Sequence, residues 1–147
     1  VGQEVLRSRS MIREHRELAA AVVAAQSAAI KRTEELRKAM SGKLKRAGVS
    51  QAARDDFLRD FHDGIAANRI AVAADMRVFG LMVEVLDLLS ARYGQWRLGD
   101  DRSIRFDSED DTETFYSLLD EVDRAKAKAA AAHHALIEQM RSQGRSE

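Results

Sequence analysis

The chain has 147 residues, 24 Lys/Arg against 24 Asp/Glu, no Cys and no Pro, with 45% hydrophobic but only 5% aromatic residues. That length suits one domain burying roughly 70% of its unfolded surface, and zero Cys excludes disulfides, thiolate metal sites and cysteine nucleophiles. Balanced charge offers no global field for nucleic acid or an anionic membrane, while the missing Pro and abundant Ala, Glu, Lys, Arg and Leu predict an all-α fold.

The first helix is expected over residues 4–47. Val5, Ile12, Ala19, Val22, Ala29, Leu36, Met40 and Leu44 recur at helical spacing. Gln26 and Thr33 interrupt this stripe, so it is not a continuous coiled-coil seam, and Ser41-Gly42 is a weak point where the helix could fray or kink. Gly48 reads as the left-handed residue just past the helix, with Val49 returning to Leu44 as in a Schellman ending. Ser50 then caps the next helix. So short a connection makes the two helices antiparallel neighbours.

The second helix is expected over 51–92. One stripe runs through Phe57, Phe61, Ile65, Val72, Met76, Phe79, Val83, Leu86 and Tyr93. A second set, Ile70, Ala74, Leu81, Val85 and Leu88, lies on another face. Together they cover roughly two thirds of the circumference over residues 70–89. The second set is therefore the candidate interface, for a second copy or for another helical protein. Asp75 falls inside the apolar arc and calls for a partner or a wet edge. Gly64 and Gly80, inside the helix, suggest close approach of a neighbouring helix.

The period then changes from helical to alternating. Trp96, Leu98, Ile104 and Phe106 alternate with polar residues around Gly99-Asp100-Asp101-Arg102, which predicts a β-hairpin over 95–106 with all four apolar side chains buried on one face. A third helix follows over 109–141. Ser108 and Asp111 resemble a capping box, Glu109, Asp110, Asp111 and Glu113 suit the positive end of the dipole, and Phe115, Leu118, Leu119, Val122, Ala129, Ala132, Leu136 and Met140 form the buried stripe. The fold expected is one elongated domain over 1–147: three long helices in an antiparallel up-down-up bundle, with the hairpin between helices 2 and 3.

Charge is polarised along the chain. Residues 1–48 hold 11 Lys/Arg against 5 Asp/Glu, and residues 99–124 hold 3 against 10. An up-down-up bundle would bring Arg7, Arg9, Arg13 and Arg16 to the acidic start of helix 3.

No catalytic, cofactor or metal constellation stands out. The four histidines are His15, His62, His133 and His134; the adjacent pair points about 100° apart on a helix and does not converge on one ion. Acidic residues 107–113 could hold a cation loosely, but helix capping accounts for them. Phosphate-binding glycine motifs and nucleophile elbows are missing. Lys43, Lys45 and Arg46 could make weak phosphate contacts, although Glu34 and Glu35 interrupt the basic strip upstream and cations suit a helix C-terminus in any case.

These readings point to a non-catalytic structural or interaction protein acting through helical packing and self-assembly, as in a scaffold, a virion or a secretion assembly. A nucleic-acid-associated protein and an amphipathic binder of lipid or granule surfaces are the alternatives. Charged residues within 70–89 argue against a membrane span. A cytoplasmic location is the expectation, unless a segment preceding Val1 directs the chain elsewhere.

Overall fold

The computed structural model describes residue 6, residues 8–99, residue 101 and residues 103–143, apart from the side chains at positions 60 and 143. Its elements run α1 (Arg9–Arg46), α2 (Gln51–Ala91), β1 (Trp96–Leu98), β2 (Ile104–Phe106) and α3 (Glu109–Gln143). The all-α class and the intervening hairpin are as the sequence implies.

Side-chain oxygens set the helix starts. Ser8 Oγ accepts from the Met11 amide at 3.2 Å, so α1 begins at Arg9 and not near residue 4; Val5 and Arg7 lie outside the described residues. The helix passes through Ser41-Gly42 without a break and closes in a full Schellman ending. Gly48 has φ 74°, its amide reaches the Lys45 carbonyl at 3.3 Å, and Val49 reaches Leu44 at 3.2 Å. Ser50 Oγ then accepts from Ala53 and opens α2. At the far end Gly94, φ 87°, turns the chain out of α2, and the Trp96 indole N–H donates to the Leu89 carbonyl at 3.1 Å, within the last turn of α2.

The hairpin pairs Trp96 with Phe106, Arg97 with Arg105 and Leu98 with Ile104. Ile104 and Phe106 are buried, but Trp96 is half-buried and Leu98 is 43% exposed. The expectation of four buried side chains is corrected because only β2 lies on α3; β1 is the outer strand. Side chains of α3 close the free edge of β2. The Tyr116 hydroxyl takes the Ile104 amide at 3.1 Å and donates to its carbonyl at 3.2 Å, and Thr112 Oγ1 accepts from Phe106. Ser108 caps α3 by accepting from the Asp111 amide. The Asp111 carboxylate goes instead to Arg92, at 2.7 Å.

The three helices run up-down-up as an antiparallel bundle, as expected, but the bundle is open. α1 packs along α2 and α2 along α3, while α1 and α3 share no comparable contact. The three helices therefore form one layer with α2 in the middle. At about 100° per residue, Arg69, Met76 and Asp87, which meet α1, lie nearly opposite Val78 and Val85 on α2. That arrangement accounts for the broad apolar arc of α2: a middle helix buries two flanks.

The core sits at the hairpin end. Ile12, Leu81, Val85, Leu86, Leu89, Ile104, Phe106, Phe115, Val122 and Ala125 form one cluster, with Leu6 and Trp96 packed on it. Toward the Gly48 turn burial fades: among the described residues none is buried in 20–46, 51–70 or 130–143.

Candidate interaction surface

The expected interface on α2 is largely used up inside the molecule. Leu81 and Val85 are each 1% exposed and belong to the core with Val122 and Ala125 of α3. Leu88 and Ala74 are half-buried, and only Ile70 stands free, at 65% exposure. This face is not left over, because α1 and α3 occupy opposite flanks of α2 and α3 covers it. Nor do Gly64 and Gly80 mark close helix approach: a Cβ at either would meet nothing within 4 Å.

The two broad faces of the layer differ in chemistry. One is tied by ion pairs: Arg16–Asp87 at 2.9 Å, Glu34–Arg69 at 2.6 Å, and Arg77 with Glu121 at 2.7 Å and Glu84 at 3.6 Å. The hydrogen bond to Asp87 and its charge raise the Arg16 pKa above its ordinary value. Among the described residues, Arg9, Arg13 and Arg16 do not make the expected meeting with the acidic start of α3, since α2 lies between them. Arg16 stops at α2, and α2 supplies Arg92 to Asp111.

The other face, which carries the hairpin, is apolar. At about 100° per residue, Leu18 and Leu36 of α1 fall roughly 160° from Arg16 and Glu34, and Ile137 of α3 falls roughly 160° from Glu121. On α2, Phe57, Phe61 and Phe79 occupy the side away from Arg77, and Phe57 and Phe61 stack at 6.1 Å. Near the hairpin Leu18 of α1 is still 64% exposed, but on α2 this side is covered, with Leu86 at 2% exposure. Toward the Gly48 turn it is bare. Leu36, Phe57, Ile137 and Met140 are 53%, 42%, 48% and 63% exposed, and come from all three helices. Beside them Gly64, Asn68, Leu136, Gln139 and Met140 line an open groove of about 350 Å³.

Polar ties also join α2 and α3: Gln139 Nε2 donates to the Asp63 carbonyl at 3.4 Å, and a carboxylate–imidazole contact lies further along. His133 Nε2 lies 2.9 Å and 3.1 Å from the two carboxylate oxygens of Asp75, the residue whose place in the apolar arc called for a partner. His15 bonds only the Met11 carbonyl of its own helix. Among the described residues no group of three or more acidic or histidine side chains converges closely enough to hold a metal ion. No described helix is long and apolar enough to cross a membrane.

Lys43, Lys45 and Arg46 are exposed in the last turn of α1, with no carboxylate in ion-pair range among the described residues. Helical geometry fans them around the axis, so they do not converge on one phosphate.

Sequence reasoning missed the second apolar flank of α1. Leu18 and Leu36 stand about five turns apart at 3.6 residues per turn and so share a face, with Met11 and Ala25 between and beside them; a search for a second stripe would have found it. No family model, curated protein or solved structure matches the chain.

Proposed function

We propose that this chain is a non-catalytic interaction protein that acts through helical packing, and that its contact surface is the bare half of the apolar face near the Gly48 turn. The observation that carries this reading is that Leu36, Phe57 and Ile137, with Met140 beside the groove, are all more than 40% exposed and come from all three helices in the half nearer the Gly48 turn, the first three on the side away from the ion pairs by helical geometry. Side chains of this size expose together roughly 400 Å², comparable to the largest apolar patch of a typical soluble monomer, which is often functional. Such patches mark sites where another surface docks. The paired carboxylate and imidazole of Asp75 and His133 lie beside the patch and serve as a structural tie between α2 and α3.

A photo-crosslinking amino acid placed at Leu36, Phe57 or Ile137 in cells tests the reading, with the same probe at Ile70 on the opposite face as control. The reading expects discrete protein adducts from the first three positions and none from Ile70. Equal labelling at all four positions, or none at any, would overturn it.

A further inference from the structure

We infer that a second copy of this chain covers the bare half, face to face, so that two three-helix layers make one two-layer core. This inference rests on the interaction reading above and names the partner. Helices that bury stripes in one direction need a second layer in that direction. Over the hairpin half a second layer is present: Ile104 and Phe106 of β2 share one buried cluster with Leu86 and Leu89, and Trp96 and Leu6 pack against it. Over the other half no described residue outside the helices packs this way, although the same side of α2 continues with Phe79, Phe61 and Phe57, passing from half-buried to 42% exposed.

Area favours a copy over a short peptide. The bare half is about 20 residues long, or about 30 Å, and three helices spaced about 9 Å apart make it about 25 Å wide. That is roughly 750 Å² per partner, close to the roughly 800 Å² per side of a standard stable interface. A single docked helix would cover about a third of that width. Shape points the same way. The hairpin stands on this face at one end only, so two copies with their hairpins at opposite ends can bring bare half to bare half, as a self-complementary two-fold contact requires. Charge does not oppose it, because the chain is neutral overall and its ion-paired face is turned outward.

Sedimentation equilibrium of the full chain across a hundredfold concentration range tests the inference. The wild type is expected to move toward twice the 16.4 kDa chain mass as concentration rises. Leu36→Glu with Ile137→Glu should hold the monomer mass while keeping the helical circular dichroism, because both positions are already half-exposed in the single chain. Ile70→Glu, at the most exposed large apolar residue but on the other face, should leave association unchanged. A wild type that stays monomeric at the highest concentration overturns the second copy; in-cell adducts of a different mass would then leave the interaction reading standing with another occupant. Association lost equally in the Ile70 variant overturns the placement on this face.

Discussion

The two halves of the molecule are made from the same three helices, yet they are built to different completeness. The hairpin half holds every large buried side chain, from Ile12 through Leu89 to Phe115 and Val122. In the half nearer the Gly48 turn, among the described residues only Ala71 and Ala129 near its inner boundary are buried. Composition does not explain the contrast, since Phe57, Phe61, Leu36 and Ile137 are as apolar as their counterparts. What differs is cover. In the hairpin half α3 covers Leu81 and Val85 from the flank, and Ile104 and Phe106 of the hairpin join the same cluster as Leu86, Leu89 and Phe115; among the described residues nothing comparable lies across the other half.

Truncations should separate the halves most sharply. Phe115→Ala, at a 3% exposed core position, is expected to cost about 3–5 kcal/mol. Phe57→Ala should cost the dilute chain less than about 1 kcal/mol. Chemical denaturation of both variants checks the pair, and equal losses would erase the distinction between halves. A smaller effect is expected where α3 closes the hairpin edge. Tyr116→Phe strips the Ile104 amide and carbonyl of their partner and should cost about 1–2 kcal/mol, read as a lowered denaturation midpoint.

Two substitutions along the seam should stabilise. Gln26 Oε1 is buried with no hydrogen-bond partner, so Gln26→Leu is expected to gain about 1 kcal/mol by removing an unsatisfied acceptor. Gly80→Ala, where a Cβ meets nothing within 4 Å, should gain up to about 1 kcal/mol from helix propensity. Thermal melts of the two variants measure both gains. The smallest effect concerns pH. Ser103 hydroxyl and amide bonds, then the nearby Arg105, hold the Asp101 carboxyl below its ordinary pKa. Its contribution to hairpin order is full above the ordinary carboxylate range and is lost as pH falls through the lowered value. Asp101→Asn should remove that acid dependence from the hairpin amide shifts while leaving α1 unaffected.

Local chemistry made most of the fold legible. Gly48, Ser50 and Ser108 act where their backbone and capping preferences place them, and the alternation of Trp96, Leu98, Ile104 and Phe106 announced the strands. Neighbour relations were not legible. Periodicity told that α2 has two apolar flanks but not that α1 and α3 avoid each other, so Leu81 and Val85 read as surplus when α3 already covers them. Val5 fits the stripe and points to an earlier start for α1, whereas the Ser8 cap decides the boundary. The bare patch draws its members from three helices, and no single stretch of sequence contains it.

Amide hydrogen exchange at two protein concentrations tests the central claim most directly, because it reads each half separately. Amides of 81–91 and 111–125 should be protected to the same degree at both concentrations. Those of 28–44, 55–70 and 130–141 should exchange quickly in dilute solution and slow markedly in concentrated solution, as the second layer forms. Equal protection of both halves at every dilution, with no dependence on concentration, would contradict the account.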